Sequence, residues 1–585
     1  MPQLTLPINL DLTPGGWALV VSTTTLLAYI LSSLLAWYRL RHFPGPFLAS
    51  FSHLWLARAF WSGRACETFV EAEARHGGGG RRPPRTPGTG LGVGTGVMFD
   101  GSTIRIGPNE LMTSDVEVIR RASAARGGYG RSRWYKMSSP DPHHEGMFST
   151  LDGAVHDRLK AQTAAGYAGR DNPFLEKDMD YVVGILVEKI KTKYAVRGGE
   201  EEGERSKPFL DLATITQYFT LDSIAKLAFG EEFGLVREER DIHGHLAMLH
   251  EVTPVLTTVA AVPLLRDIMG SKLVLRLFGP KPTDKKGLGR LMGTGIPIVA
   301  KRFAPGAPEK QDMLGSFMRH GMTQKECEVE ALMQIVAGSD TTATAIRCAL
   351  LFLMSAPRTC LALQAEIDEG IRAGRISSPI TNAEANDLPY LQAVIYETLR
   401  LHPPFAGVPF KVVPPGGDTI DGKHVPGGTL IAPNFWTTGR NVTVFGPDAD
   451  VFRPERWLSV EEEERAEMRR VAELAFGYGR WGCAGKMIAF LELNKVLVEL
   501  VRRFDMQLVY PWNPWKSVNH NLFLQSDMWV RVAMREAGSW SPNPVPELVV
   551  PAEWCGGAAE ADSETVALDF VRFAICSSEI GSIAV

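Results

Sequence analysis

The run from Thr323 to Ala356 constrains this chain more than any other stretch. Thr323-Gln324-Lys325-Glu326 has the pattern of a capping box, in which side chains and backbone N–H groups at a helix start satisfy one another. The helical periodicity that follows meets no proline until Pro357. At 1.5 Å per residue this predicts a helix of about 50 Å, long enough to cross a large domain. A rod of that length must be packed around, and it points to a mainly α fold (α+β, with a small β region). In its middle stands Ala337-Gly338-Ser339-Asp340-Thr341-Thr342. Gly338 removes side-chain bulk and allows another body close approach to the helix. Asp340 and Thr341 offer an acid and a hydroxyl, through which ordered water can move protons. Taken alone, such a run is more often a kink or a polar patch bonded back onto its own helix.

A second stretch carries a single cysteine. Phe476-Gly477-Tyr478-Gly479-Arg480-Trp481-Gly482-Cys483-Ala484-Gly485 has three glycines before Cys483, which predicts a tight loop. After it, Leu491, Leu493, Val496, Leu497 and Leu500 recur at helical spacing. Cys483 therefore falls at a helix N-terminus, where the helix dipole and free N–H groups favour the thiolate that a metal ligand needs. Gly477 to Gly482 also spells G-x-G-x-x-G, but no βαβ pattern surrounds it, so it is a weak dinucleotide signal. A third motif is Tyr396-Glu397-Thr398-Leu399-Arg400, followed by His402-Pro403-Pro404. Glu397 and Arg400, at i and i+3, share a helix face. As a surface pair they would be worth less than about 1 kcal/mol.

In this order, and with Phe452-Arg453-Pro454-Glu455-Arg456-Trp457 between them, the motifs resemble those of the cytochrome P-450 superfamily over about residues 40–535. Residues 337–342 are similar to its oxygen-activation motif (A/G)-G-x-(D/E)-T-(T/S). Phe476, Gly479, Cys483 and Gly485 fall in place in its cysteine loop, F-x-x-G-x-R-x-C-x-G. The resemblance implies haem b, with Cys483 as axial thiolate ligand to the iron. It implies that Gly338 lets the flat macrocycle and O₂ approach the long helix, and that Asp340 and Thr341 manage protons. It also implies a buried structural triad of Glu397, Arg400 and Arg456, holding the segment that leads to the cysteine loop. One position departs from the pattern. Trp481 stands where an Arg is usual and Arg480 is displaced by one, an arrangement similar to fungal pisatin demethylases and benzoate hydroxylases. Arg480 is then a candidate for the haem propionate contact. His156 and Lys160, on one helical face, resemble the family's Trp or His followed four residues later by a base that reaches a propionate. Pocket candidates by resemblance are Val336, Ala337, Phe405, Val408, Phe410, Leu522, Phe523 and Leu524, whose apolar character predicts a hydrophobic small-molecule substrate.

Trp17 to Tyr38 is apolar apart from Ser and Thr and spans about 33 Å as a helix, against roughly 30 Å for a hydrocarbon core. Residues 1–16 carry no Lys or Arg, whereas Arg39, Arg41 and His42 follow the span. This asymmetry predicts a single-pass anchor in the endoplasmic reticulum membrane, with 1–16 lumenal and the catalytic domain cytosolic. A sequon at Asn441 is accordingly expected to stay unmodified. Residues 39–47, with Pro44-Gly45-Pro46, form a basic, stiff hinge. The catalytic domain is expected over 48–537. Residues 76–101 form a Gly-, Arg- and Pro-rich insert that cannot bury a core, and 538–585 reads as a disordered tail. A gene-model error is the alternative for each segment, with a flexible insert the better reading of the first.

Seven scattered cysteines without a C-x-x-C pair indicate neither a disulfide framework nor a zinc site. A net charge of −4 argues against nucleic-acid binding. No convincing nicotinamide or flavin site is present, so electrons are expected from NADPH through a separate reductase, docked near basic residues such as Arg480 and Lys486. The expected activity is a haem-thiolate monooxygenase of fungal secondary metabolism or detoxification, inserting one oxygen atom of O₂. A haem-thiolate isomerase or dehydratase needing no O₂, and a haem-binding sensor, remain open on sequence alone.

Overall fold

The computed structural model describes residues 13–77, 102–197 and 207–535. The expected insert beyond Gly77, the expected tail and residues 1–12 lie outside the described residues. The first helix, α1 (Pro14–Leu40), opens with Thr13 capping Gly16 N and a proline in its first turn, where the missing N–H costs nothing. Of its residues only Ser33 and Leu40 are buried. Its C-terminal end is tied down: the Trp37 carbonyl accepts from Arg105 and the Gly427 carbonyl from Arg39. At Gly45 the hinge passes so close to β1 (Thr103–Arg105) that an added Cβ would stand 2.1 Å from the Arg105 carbonyl oxygen.

Strand β1 pairs with β2 (Glu110–Thr113), and β3 follows at Gly130–Arg131. The helices that frame the site come next: α2 (Gly153–Tyr167), α3 (Leu212–Phe229), α4 (His245–Ala261), α5 (Pro263–Met269), α6 (Lys272–Phe278), α7 (Gln324–Ser355) and α8 (Pro389–Leu401). Then come β4 (Lys411–Val412), β5 (Leu430–Pro433), α9 (Lys486–Val501), β6 (Lys516–Asn519) and β7 (Phe523–Ser526). The β region includes a five-stranded sheet in the order β1-β2-β5-β4-β3, with β2 and β5 parallel. Across the antiparallel β3–β4 pair, Arg131 stands directly opposite Lys411.

Helix α7 is continuous, and its capping box at Thr323 and Glu326 is formed. It is apolar enough to cross a membrane, but 78% of its most apolar window is buried, against 6% for α1. The difference separates a core rod from a helix with no protein around it. α7 packs against α3, α8, α9 and the helix Gly287–Phe303, and the largest apolar cluster collects around it. The architecture is thus mainly helical with small sheets, as the sequence predicts.

Candidate functional site

The loop before α9 is closed by one short backbone bond, from Cys483 N to the Phe476 carbonyl at 2.7 Å. Gly477 and Gly479 have φ of +75° and +57°, and a Cβ on Gly479 would stand 2.8 Å from the Ser123 carbonyl oxygen. Glycine is required there, by backbone conformation as well as by space. Cys483 lies just before Gly485, the N-cap of α9. Its sulfur faces an internal cavity, and burial pushes the thiol up. The backbone N–H groups of Gly485 and Lys486, with the charges of Lys160 and Lys486, pull it down.

The cavity measures about 460 Å³, within the range of roughly 300–1,000 Å³ usual for small-molecule sites. Phe476, Cys483 and Gly485 line it, and so do Val336, Ala337, Gly338 and Thr341 of α7. The Thr341 hydroxyl donates to the Ala337 carbonyl at 2.9 Å. Asp340 turns instead toward α3. Its Oδ1 accepts from Gln217 Nε2 at 2.5 Å, while Oδ2, also buried, has no partner. Burial pushes this carboxyl up to about 6, against the pull of Arg347 and the Gln217 hydrogen bond. Arg347 holds the back of the network, donating to Gln217 Oε1 at 2.6 Å, to Thr216 Oγ1 at 2.9 Å and to the Ala213 carbonyl at 2.5 Å.

At the cavity edge Trp481 is surrounded by bases. Arg131 lies 4.4 Å and Lys411 Nζ 4.3 Å from its ring centroid, and the His156 ring is 4.5 Å away. Lys411 Nζ and Arg131 Nε are buried without a hydrogen-bond acceptor. Burial and the charge of Arg131 hold the Lys411 ammonium well below its usual range, and burial lowers Arg131 to about 10. Lys160 lines the cavity too, donating to the Arg480 and Gly482 carbonyls at 2.7 and 3.0 Å. His156 bonds to Asp157 through Nδ1 and is lowered to about 4, mainly by burial.

Some residues named from sequence stand elsewhere. Arg480 does not face the cavity: it forms a two-pronged pair with Asp157, at 2.8 and 2.7 Å, and donates to the Gly153 carbonyl. The carboxylate on α2 captures it outside the pocket. Phe405 and Leu522 line the cavity, but Val408 and Phe410 do not. They pack into the cluster of Phe60 and Phe69, and the alternating chain direction turns Pro409 and Lys411 inward instead. Phe523 packs on His402 at 4.2 Å and Leu524 is plain core. Arg131, Lys411, Gln217 and Arg347 were not singled out from sequence. A usable signal existed for Lys411 alone, a lysine inside the apolar run Val408 to Val413.

Glu397, Arg400 and Arg456 form a buried knot. Arg400 donates to both Glu397 oxygens at 2.8 and 2.7 Å, Arg456 donates to Oε1 and Trp457 Nε1 to Oε2, both at 2.9 Å. Burial raises the Glu397 carboxyl, but the two guanidinium charges outweigh it and hold the group below its usual value. Beside the knot, Tyr396 donates to Glu473 at 2.9 Å and its ring packs on Phe490, so α8 braces both ends of the cysteine loop.

The profile of the Cytochrome P-450 family matches residues 111–527. Cytochrome P-450 monooxygenase ABA1 of Pyricularia oryzae is 46% identical over 505 residues, covering 86% of this chain and 94% of that protein. The aba1 monooxygenase of Botryotinia fuckeliana is 42% identical over 498 residues, covering 85% of this chain and 92% of that one. The abl1 monooxygenase of Leptosphaeria maculans is 39% identical over 513 residues, covering 86% and 85%. Among solved structures, a cytochrome P-450DA heme domain aligns with a TM-score of 0.59 at 17% identity, over 75% of this chain and 90% of that one. That last likeness bears on the fold alone.

Proposed function

The chain belongs to the cytochrome P-450 family and is a monooxygenase, and from that premise we propose that Cys483 would hold its haem through the thiolate and that Arg131 and Lys411 would meet its carboxylate groups, with Thr341 lining the same cavity. The residues present fit such a group. Like charges directly opposite on paired strands are destabilising, and a buried cation without an acceptor costs more than an exposed one. Lys411 combines both faults, whereas Arg131 donates through Nη1 to the Met147 and Phe148 carbonyls and leaves only Nε without an acceptor; an anionic group between them would relieve both residues. Trp481, where an arginine is usual, fills the space that these two bases share. When bound, the haem supplies activation of O₂, with electron density donated by the thiolate.

The chain's own residues then divide the remaining work. Thr341 presents a hydroxyl at the cavity wall, and Asp340, behind it, holds a proton close to neutrality because burial raises it to about 6. Gln217 and Arg347 fix the orientation of Asp340. The apolar wall, including Val336, Ala337, Phe405 and Leu522, excludes water and favours a hydrophobic substrate. Electrons come from NADPH through a separate reductase. The anchor α1 is single-pass in the endoplasmic reticulum with the catalytic domain cytosolic. Exposed Leu264, Ile268, Leu273 and Phe278 of α5 and α6 support a second contact of the domain with lipid.

The observation carrying this reading is that Cys483 and Thr341 line one cavity that is also lined by two buried bases, Lys411 with Nζ and Arg131 with Nε left without an acceptor. Its test is turnover of the purified full chain with a P-450 reductase, NADPH and O₂, after a spectral screen of lipophilic compounds for ligands. Product should depend on all three. Product formed without O₂ or reductase would establish an isomerase or dehydratase instead.

A further inference from the structure

The turn between β6 and β7 carries a hydrogen-bond donor that the haem reading does not use. Asn521 is 2% exposed and lines the cavity. Its backbone carbonyl accepts from Ala406 N at 2.9 Å, and its side-chain Oδ1 accepts from Val408 N at 3.1 Å. Between these two contacts lies Gly407, where an added Cβ would stand 2.3 Å from Asn521 Oδ1. The amide is therefore clamped against residues 406–408, and it cannot flip without giving up the Val408 bond. With Oδ1 engaged, Nδ2 is left buried without an acceptor.

A second donor stands against the same segment. Trp134, in the short helix Trp134–Met137, lines the cavity, packs in one cluster with Val408 and Phe410, and leaves its indole Nε1 buried and unpaired. Lys411 and Arg131 have their use at the propionates, which leaves these two neutral donors of the cavity lining without a partner. A buried donor without a partner is unfavourable, and the cost is removed if a ligand atom accepts from it.

We propose that Asn521, with Trp134 as a second donor on the same cavity lining, donates a hydrogen bond to an acceptor oxygen of the substrate. The substrate class is then an otherwise apolar molecule that already carries a carbonyl, carboxyl or hydroxyl oxygen away from the carbon to be oxidised. The reaction that supplies this substrate must deliver it already bearing that oxygen, because the bare hydrocarbon leaves both donors unpaired. The proposal rests on the monooxygenase reading, and it assigns the orientation of the substrate to this wall.

The test is a set of Soret titrations of the haem-loaded full chain with matched probes, cyclododecane against cyclododecanone and decalin against decalone. The wild type should bind each ketone about tenfold more tightly than its hydrocarbon, the ratio expected from one net hydrogen bond. Asn521→Asp keeps the Oδ1 that accepts from Val408. In mildly alkaline buffer it replaces the donor with a carboxylate oxygen, so the ratio of ketone to hydrocarbon affinity should fall to one or below. Trp134→Phe keeps the ring and removes only the indole N–H, which provides an independent reading if the Asp variant is unstable; it should reduce the preference. Equal affinity for ketone and hydrocarbon in the wild type, or a preference that survives in both variants, would overturn the proposal. Failure of the underlying reading is distinguishable, since it would appear as a wild type without a thiolate signature in its reduced carbon monoxide complex.

Discussion

Two groups of buried charge lie in the same domain and are treated in opposite ways. In the knot of Glu397, Arg400 and Arg456, the carboxylate meets both guanidinium groups. The remaining donors find Asp448 and the carbonyls of Gly439, Phe445 and Val451. At the cavity edge Arg131 faces Lys411 across a strand pair, and among the described residues neither has an ion-pair partner. Charges that hold the fold are neutralised by the chain itself. The two bases proposed for the ligand have no carboxylate beside them: Arg131 is held only by backbone carbonyls and Lys411 Nζ by no acceptor at all.

The comparison would break first at the knot. Glu397→Ala leaves the buried Arg400 guanidinium without a carboxylate and takes one of two from Arg456, and loss of one partner of a buried pair typically costs about 3–5 kcal/mol. Little folded protein should be recovered, which thermal unfolding and soluble yield would report. A variant that folds with normal haem content would mean the knot is dispensable.

Lys411→Met should act with the opposite sign. It removes a buried like charge, so the haem-free protein should be as stable as the wild type or more so, while haem is lost more readily. Melting of the haem-free form, together with pyridine haemochrome content after dilution, checks both halves. Lower stability combined with unchanged haem retention would contradict the assignment.

Thr341→Ala belongs to the open side as well. Haem content should hold, NADPH oxidation should continue, hydrogen peroxide should rise, and product per NADPH should fall by about 10² or more if the hydroxyl carries proton transfer. An unchanged ratio would remove Thr341 from that role.

The smallest effect expected is in pH. Glu397 has a depressed folded pKa, so its contribution is present above the unfolded value and is lost as pH falls through the folded one. Lys411 also has a depressed folded pKa, so between that value and the unfolded one the unfolded chain binds more protons, and haem-free stability should rise with pH. Urea unfolding of wild type and Lys411→Met at both ends of the pH range should separate the two: acid lability common to both proteins, an alkaline gain in the wild type only.

The sequence was legible where chemistry is local. The long helix, its cap, the glycine loop around Cys483 and the i, i+3 pair at Glu397 are each written within one segment, and local geometry follows from spacing. The mainly helical class followed from the same periodicity. What could not be read depends on segments meeting. The Arg131–Lys411 pair exists only because β3 and β4 align in one register, and a shift of one residue would turn both side chains away. The same phase question decided against Val408 and Phe410, in the extended segment that leads into β4 and presents Pro409 and Lys411 to the cavity. Arg480 was named from its neighbours in sequence, yet Asp157, on another helix, decides where it points.

Cys483 is where the two regions meet, its loop braced by Tyr396 next to the knot on α8 and its side chain on the cavity lining. The most direct test is the reduced carbon monoxide difference spectrum of the purified chain beside its Cys483→Ala variant. The account predicts a Soret band at the wavelength that gives the family its name in the wild type, and loss of that band in the variant even where haem remains bound. An unchanged thiolate band in Cys483→Ala would contradict it.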